Sequence, residues 1–284
     1  MKIVKNINII RNCIKTWKAD GEKIGFVPTM GNLHEGHISL ITSLKNAGAT
    51  RIVTSIFVNP TQFAPNEDYK KYPRTKNSDQ KKLCDNNVDL LFSPSEENMY
   101  PKNLLGELVI KYPEYSNILC GAHRPSHFNG VLWIVNKLLN IVNPDITIFG
   151  QKDYQQYILV ENMIKDLHMP IKIICSPIIR ESSGLAISSR NQYLSKKEKN
   201  IAPKLYEALR KASISIDNRL KIVDIEKNGI NFLKKNGFEV DYFTIRNPRN
   251  LNQVDNNQSL DESKIILTAA KLGNTRLIDN ILLL

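Results

Sequence analysis

Short apolar runs separated by helix-like stretches constrain the fold of this chain more than any other feature of its sequence. The runs occupy residues 24–27, 52–58, 88–92, 146–149 and 171–174. Between the first two runs, apolar residues recur at helical spacing from Leu40 to Ala47, and Gly48 follows where a helix C-cap is common. Strand-length runs that alternate with helices predict βαβ units, and therefore an α/β fold with a parallel sheet.

The length of the chain and a change of pattern near residue 176 predict two domains. Its 284 residues, of which 42% are hydrophobic, suffice to bury sizeable cores. Beyond residue 176 the order changes to helix-like segments at 201–216 and 222–236, followed by strands near 240–245 and 264–272. We therefore expect a parallel-sheet domain over residues 1–175 and a smaller α+β domain over residues 176–284.

Several protein classes lack their sequence signatures here. No apolar stretch approaches the roughly 20 residues of a membrane helix, and the N-terminal residues lack the apolar region and cleavage site of a signal peptide. The four cysteines include no Cys-x-x-Cys pair, so no zinc site or redox couple is predicted. The Gly-x-Ser-x-Gly, Walker and Gly-x-Gly-x-x-Gly motifs are missing too. We expect a cytoplasmic protein with no membrane partner, and the hydrolase, Walker ATPase and dehydrogenase classes are not favoured.

The chain is strongly basic, with 39 Lys and Arg against 28 Asp and Glu, a formal net charge of +11. Such a charge is compatible with a nucleic acid, a membrane surface or an anionic substrate as partner. The lysines are spread through nearly every segment, and short clusters such as residues 196–199 contain an acidic residue. We therefore expect a solvated basic surface with no nucleic-acid partner, and keep a basic nucleic-acid-binding protein as the alternative from another class.

Residues 28–37 read Pro-Thr-Met-Gly-Asn-Leu-His-Glu-Gly-His, directly after the first apolar run. A strand, a glycine-containing turn and a helix that begins near His34 would aim backbone N–H groups and a positive helix dipole at an anion. On a helix, His34 and His37 share one face, and Gly36 leaves room there for a flat base. The motif predicts a nucleotide site, although a turn–helix junction with incidental histidines would have the same sequence pattern.

Polar residues also follow two later runs, where chemistry is expected in an open α/β sheet. Lys152 lies two residues after Gly150, so its ammonium could reach a phosphate, and Asp153 could orient it or bind a ribose. An ordinary solvated lysine is the alternative. Gln62 and Gln156 carry donors and acceptors suited to a small polar acid, but their spacing alone favours surface residues.

Three consecutive residues of the second domain, Ser188, Ser189 and Arg190, offer two hydroxyls and a guanidinium, which suit a transferring phosphoryl group. A helix N-cap is the alternative role for Ser188. Ser195, followed by Glu198, is itself predicted to begin a helix with a capping box.

Metal ligation has little support in the sequence. Asp79 could meet a magnesium ion, which usually takes one carboxylate together with phosphates. His123 and His127 have metal-like spacing without a third ligand, so no protein metal site is predicted. Arg124 between them is instead a candidate to contact an anion.

Several segments in register resemble one family. They are residues 28–37, 55–63, 72–75, 99–101, 149–156, 184–190 and 274–280. By these segments the chain resembles the pantothenate synthetase (pantoate–β-alanine ligase) family, a member of the H-x-G-H nucleotidyltransferase superfamily. Another H-x-G-H adenylyl- or cytidylyltransferase is the alternative within the enzyme class.

The resemblance implies an ATP-dependent ligase of pantothenate and coenzyme A biosynthesis. The carboxylate of pantoate would attack the α-phosphorus of ATP to give pantoyl-adenylate and pyrophosphate, with Mg²⁺ on the phosphates. β-Alanine would then attack the activated carbonyl and release pantothenate and AMP. The resemblance also implies a Rossmann-like N-terminal domain, a C-terminal α+β lid domain that closes over ATP, and a homodimer.

Site residues are carried over from the matching motifs. The catalytic residues would be His34, His37, Lys152, Ser188, Ser189 and Arg190, with His37 as proton donor. The ATP-binding residues would be Met30, Gly31, Asn32, Leu33, His34, Glu35, Gly36, His37, Gly150, Gln151, Lys152, Asp153, Ile179, Ile187, Ser188, Ser189 and Arg190. Gln62 and Gln156 would bind pantoate, and Gln62 would also face β-alanine.

The chain departs from the family pattern at four places. Gln151 replaces the usual Glu, Ile187 the usual Leu, and Ser126 the usual Gly. The pair Leu132–Trp133 is bulkier than the residues common there, which leaves the shape of the pantoate side open. None of these changes removes a charged catalytic group.

Overall fold

The computed structural model describes residues 1–65, 67–101, 109–254 and 263–283. The chain divides into two compact units. The first unit comprises Met1–Gly150 and Leu159–Pro177, and the second comprises Gln151–Ile158 and Ile178–Leu284. The sequence placed the division between residues 175 and 176, with residues 151–158 in the first domain. The loop after Gly150 groups with the second unit because the Asn280 side chain donates to the carbonyls of Gln151 and Lys152.

A parallel sheet forms the centre of the first unit, as the alternating runs predict. Within the described residues it has six strands in the order β1-β4-β3-β2-β5-β6, all parallel. The strands are β1 (Lys2–Val4), β2 (Ile24–Thr29), β3 (Arg51–Ile56), β4 (Leu90–Phe92), β5 (Ile146–Gly150) and β6 (Lys172–Ser176). The short edge strand β1 pairs with β4 and was not predicted, because three residues are too few to show a pattern.

Helices connect these strands. They are α1 (Ile7–Ala19), α2 (Glu35–Asn46), α3 (Lys76–Asp85), α4 (Glu96–Met99), α5 (Pro113–Ser116), α6 (Cys120–His123), α7 (His127–Val142) and α8 (Tyr154–Asp166). The apolar face of α2, with Leu40, Ile41 and Leu44, is buried in a cluster with Val27 and Ile52 of the sheet. Burial of each such side chain contributes about 1.5–3 kcal/mol, which fixes α2 and the turn before it on the sheet.

The second unit is an α+β unit. Its helices are α9 (Lys196–Ile201), α10 (Lys204–Asp217) and α11 (Ile222–Lys235), and its strands are β7 (Glu239–Arg246), β8 (Lys264–Leu272) and β9 (Thr275–Leu283). In the part of this unit that the structure describes, the strands form an antiparallel sheet in the order β7-β8-β9. Leu209 and Leu233 of the helices share one core with Phe243 and Ile266 of the sheet.

The second unit differs from expectation in two elements. The helix expected over residues 201–216 begins only at Lys204, as α10, because Pro203 separates it from α9 and has no N–H to donate. Strand β9 was not predicted, since the polar pair Asp279 and Asn280 interrupts its apolar residues, and both side chains are buried. None of the described helices is long and apolar enough to cross a membrane.

Candidate active site

The turn between β2 and α2 brings His34 and His37 together. His34 is the N-cap of α2, and its backbone N–H donates to Nδ1 of His37 at 3.3 Å. The two ring centroids lie 4.1 Å apart, with the ring planes inclined by 43°. Because Nδ1 of His37 accepts, a neutral imidazole there carries its proton on Nε2. This tautomer can donate a hydrogen bond through Nε2.

Gly36 lies directly beside the His34 ring. A Cβ at this position would lie 3.0 Å from both Cε1 and Nδ1 of His34. The bare backbone therefore makes room for the imidazole of His34, a role that the sequence did not indicate. Space for an adenine base at Gly36 stays a prediction.

Asp79 of α3 holds the same turn through its buried carboxylate. Oδ2 accepts from the N–H of Asn32 at 2.9 Å, and Oδ1 accepts from the N–H of Leu33 at 2.8 Å. Thr75 Oγ1 donates to Oδ1 at 3.1 Å. Gly31 and Asn32 have φ values of +85° and +52°, so the turn needs such support. The sequence predicted that these N–H groups would face a ligand, but two of them face the protein's own carboxylate.

Gln62 is buried, whereas its spacing alone suggested an exposed position. It ends the 3₁₀ helix Pro60–Gln62 after β3. Its Nε2 lies 3.0 Å from Sδ of Met30, and its Oε1 accepts from Nδ2 of Asn59 at 3.1 Å. Asn59 in turn accepts from the hydroxyl of Tyr100 at 2.6 Å. The structure thus brings Gln62 and Met30 together.

Asn59 and Tyr100 were not singled out by sequence reasoning. Both lie inside the segments that carry the family resemblance, which was the available signal. Tyr100 packs against Trp133 with ring centroids 4.7 Å apart and ring planes inclined by 45°, and Nζ of Lys137 lies 4.8 Å from the centroid of each ring. Burial lowers the pKa of Lys137. The bulky Trp133 therefore supports the tyrosine that orients Asn59.

Arg124 contacts an anion, as proposed, but that anion is a side chain of the protein. Its guanidinium donates to both carboxylate oxygens of Glu67 at 2.7 Å. Burial tends to raise the pKa of Glu67, but the hydrogen bonds and charge of Arg124 outweigh it and hold the pKa below its ordinary value. Arg124 also donates to Nε2 of His127 at 2.9 Å, so Nδ1 of His127 donates to the carbonyl of Gln62 at 2.7 Å.

The same region contains the metal candidates His123 and His127 and the family departure Ser126. Among the residues that the structure describes, no group of three His, Cys, Asp or Glu could hold a metal ion. Ser126 is the N-cap of α7 and has a φ of +65°, a left-handed conformation that glycine adopts without strain. The glycine common in the family suits this backbone better than serine does.

Lys152 lies in the 3₁₀ helix Gln151–Asp153 of the second unit. Its Nζ is 3.8 Å from Oδ2 of Asp153, and its side chain is 20% exposed. Asn280 donates through Nδ2 to the carbonyls of Gln151 at 2.8 Å and Lys152 at 3.2 Å. Gln151 donates through Nε2 to Oδ1 of Asn280 at 3.0 Å. Gln156 is half-buried on α8.

Ser188 precedes the 3₁₀ helix Ser189–Tyr193 and caps it, because its Oγ accepts from the N–H of Arg190 at 3.3 Å. The N-cap alternative for Ser188 is therefore correct as a local role. Just before it, the N–H of Ile187 donates to the carbonyl of Ile179 at 3.0 Å. These two predicted residues thus pair in a small hairpin.

Arg180 and Asp279 anchor this hairpin, and sequence reasoning assigned no role to either. Arg180 donates through Nη1 to Oδ2 of Asp279 at 2.6 Å and through Nη2 to Oδ1 at 2.9 Å. The guanidinium lies 3.7 Å from the centroid of the Tyr206 ring. Burial raises the pKa of Asp279, and the charge of Arg180 opposes this rise.

Known proteins resemble this chain over nearly its whole length. Curated pantothenate synthetases of Stutzerimonas stutzeri and Shewanella sediminis are each 46% identical, and the alignments cover 99% of this chain and 98% and 99% of those proteins. The crystal structure of the Thermus thermophilus pantothenate synthetase superposes with a TM-score of 0.90 at 36% identity, covering 99% of both chains.

The pantoate–β-alanine ligase of Francisella tularensis, solved with β,γ ATP and β-alanine, has a TM-score of 0.81 at 39% identity. The match covers 99% of this chain and 97% of that one. The sequence model of the family described as pantoate-beta-alanine ligase matches residues 2–282. With nearly every residue inside that match, the chain belongs to the pantoate–β-alanine ligase family.

Proposed function

We propose that this chain condenses pantoate with β-alanine through a pantoyl-adenylate, consuming ATP and releasing AMP and pyrophosphate. The hydrogen bond from the His34 N–H to Nδ1 of His37 carries the proposal, because it directs the imidazole proton to Nε2. A donor of this kind beside a positive helix N-terminus suits a phosphate that gains charge in the transition state. The bound ATP and β-alanine of the Francisella tularensis relative support the same substrates.

The first step needs neutralisation of negative charge more than covalent chemistry, as in other transfers at phosphorus. The pantoate carboxylate attacks the α-phosphorus, a new O–P bond forms, and the bond to pyrophosphate breaks. His37 donates to a phosphate oxygen, and His34 lies beside it. In this proposal Lys152, Ser188, Ser189 and Arg190 of the second unit supply further positive charge and donors to the same nucleotide.

The second step consumes the pantoyl-adenylate, which is a mixed anhydride of a carboxylic acid and a phosphate. The neutral amine of β-alanine attacks the pantoyl carbonyl and releases one proton to solvent as the amide bond forms, and AMP leaves with the electron pair of the broken C–O bond. Gln62, buried and oriented by Asn59, binds pantoate and faces β-alanine, and Gln156 also binds pantoate. A glutamine held on both sides presents its amide at a fixed angle, which favours a productive approach.

Magnesium enters this proposal with ATP, held by phosphate oxygens and water as is usual for this ion. The carboxylate of Asp79, the sequence candidate for a ligand, already accepts from two N–H groups of the turn and from the hydroxyl of Thr75. When bound, Mg²⁺ would neutralise part of the triphosphate charge. A homodimer and a cytoplasmic location stay predictions that rest on the sequence.

Product analysis tests the proposed reaction. The chain is supplied with MgATP, pantoate and β-alanine, and the nucleotides are separated. AMP in equal amount to pantothenate is expected, and ADP as the product would contradict the proposal. Pantoate-dependent exchange of labelled pyrophosphate into ATP distinguishes this enzyme from other H-x-G-H transferases. Tight, salt-sensitive binding of RNA or DNA without ATP turnover would instead favour the nucleic-acid alternative.

The proposed roles are tested by His37→Ala and Lys152→Ala. Removal of a transition-state donor lowers a rate by on the order of 10²-fold or more, so pyrophosphate exchange should fall by that factor in each variant. Lys165→Ala provides a matched control, because Lys165 pairs with Glu161 on the surface of α8. Exchange rates near that control would assign the catalytic role to other residues.

A further inference from the structure

Two consecutive residues of β9, Asp279 and Asn280, connect the strand to two loops of the second unit. Both side chains are buried, with 3% and 1% of their surface exposed. Consecutive residues of a strand point to opposite faces of the sheet, so each reaches a different neighbour. Asn280 contacts the loop that carries Lys152, and Asp279 contacts the hairpin that leads into Ser188.

Asn280 uses every polar atom of its side chain on the Lys152 loop. Nδ2 donates to two backbone carbonyls, of Gln151 at 2.8 Å and of Lys152 at 3.2 Å. Backbone carbonyls only accept, so the orientation of the amide is fixed, and Oδ1 must accept from Nε2 of Gln151 at 3.0 Å. The backbone that carries the Lys152 side chain is thereby held in one conformation.

Asp279 holds the hairpin through Arg180. The guanidinium donates to both carboxylate oxygens, and the same guanidinium donates to the carbonyl of Gly184 at 3.1 Å in the tip of the hairpin. Gly184 has a φ of +92°, and a Cβ there would lie 2.8 Å from Cδ1 of Tyr206. The hairpin is therefore fitted closely between Arg180 and Tyr206, which places the residues that follow, Ser188 to Arg190.

The contacts of Asp279 and those of Asn280 are linked by hydrogen bonds. The backbone N–H of Asn280 donates to Oδ1 of Asp279 at 2.8 Å, and Arg180 also donates to the carbonyl of Asn280 at 3.3 Å. A buried ion pair of this kind is weak evidence for stability, because its desolvation cost offsets much of the attraction. A role in placing the two loops explains why a polar pair lies in the middle of an otherwise apolar strand.

We propose that Asp279 and Asn280 are positioning residues for the adenylation step, acting through Lys152 and through Ser188 to Arg190. The inference rests on the proposed function. If Asn280 acts through Lys152, replacing Asn280 should lower the rate only while the Lys152 ammonium is present. If Asn280 only stabilises the fold, replacing it should lower stability whether or not Lys152 is present.

A double-mutant cycle tests the Asn280 half. Asn280→Ala, Lys152→Ala and the double variant are compared in pantoate-dependent pyrophosphate exchange. We expect about tenfold loss for Asn280→Ala, about 10²-fold for Lys152→Ala, and a double variant within about threefold of Lys152→Ala. Independent effects would multiply to about 10³-fold and would overturn the proposal.

Two further variants separate the positioning effect in the double-mutant cycle from a loss of folding. Asn280→Asp has nearly the same volume but presents an oxygen to the two carbonyls, so it should repeat the loss even if the alanine variant unfolds. Asn236→Ala is the matched control, because Asn236 donates through Nδ2 to a single helix carbonyl, of Phe232, in the same unit. It should lower the melting temperature without changing exchange in either background.

Asp279→Asn is paired with Arg190→Ala in the same way, since the amide keeps one acceptor for Arg180. The loss of exchange rate in the double variant should again be smaller than the product of the two single losses. If the unaltered chain exchanges pyrophosphate but Asn280→Asp and Asp279→Asn match it, the positioning role fails while the function stands. If the unaltered chain shows no pantoate-dependent exchange, the proposed function fails, and this inference fails with it.

Discussion

Single residues that lie far apart in sequence fix the conformation of the turn between β2 and α2. The carboxylate of Asp79 accepts from the backbone of Asn32, which is 47 residues away. Both carboxylate oxygens are used, each by a different N–H group of the turn. Because this turn carries His34 and His37 into α2, the geometry of the histidine pair depends on an acidic residue outside the motif.

Asp79→Asn should therefore weaken the turn and leave the metal dependence of the reaction unchanged. The amide would place an NH₂ group against one of the two backbone N–H donors, which costs about 1–3 kcal/mol of the free energy of unfolding. The KM for ATP should rise as well. Denaturant unfolding and initial rates at varied Mg²⁺ provide the measurements.

Asp85→Asn is the control for this prediction, since Asp85 lies exposed on the same helix and pairs with Lys81 on the surface. A surface pair contributes little to stability, so this variant should match the unaltered chain. If excess Mg²⁺ restored the activity of Asp79→Asn, Asp79 would be a metal ligand after all.

At the scale of elements, α7 approaches the 3₁₀ helix Pro60–Gln62 closely enough to require glycine. A Cβ on Gly130 would lie 2.3 Å from the carbonyl oxygen of Thr61 and 2.7 Å from the N–H nitrogen of Gln62. The carbonyl of Gly130 also accepts from Nδ2 of Asn59 at 3.1 Å. The position of Gln62 is therefore set by the packing of a helix against a short turn.

Gly130→Ala should displace Gln62 and raise the KM for pantoate by about tenfold, since small errors in placement cost large factors in rate. It should also lower stability by about 1–3 kcal/mol, as overpacking does. Gly229→Ala is the matched comparison, because its Cβ would lie 2.5 Å from the Phe243 ring in the core of the second unit. We expect a similar loss of stability there with an unchanged KM for pantoate. Equal KM values in the two variants would contradict the role of this contact.

The elements also show which parts of the molecule the sequence could predict. Runs such as residues 146–149 reveal strands directly, because burial on both faces leaves them continuously apolar. Strand β9 lacks this signal, because two of its buried residues, Asp279 and Asn280, are polar. Their burial is possible because distant residues of the chain, Arg180 and Gln151, form hydrogen bonds with them. Motifs supplied the residue types of the candidate site. The placement of Gln62 depends on its contacts with Asn59 and Met30, and no local sequence pattern encodes those contacts.

The whole molecule carries a net charge of +11, and part of its basic surface is paired locally. Glu207, for example, pairs with Lys204 and Lys211 on α10, and these partners lower its pKa. The excess of basic residues remains and creates a positive potential around the protein. Such a potential raises the encounter rate of anionic ligands and is screened by salt over a Debye length of about 10 Å at 0.1 M.

The three proposed substrates differ in charge, so their salt dependence should follow their charge. Between about 20 mM and 300 mM salt, we expect kcat/KM for MgATP to fall by about 3–10-fold, that for pantoate to fall less, and that for the zwitterion β-alanine to stay nearly constant. Initial rates with each substrate varied in turn, at fixed excess Mg²⁺, give the three slopes. Potassium acetate in place of sodium chloride controls for specific chloride binding. Equal slopes for MgATP and β-alanine would mean that the net charge of the protein does not steer its substrates.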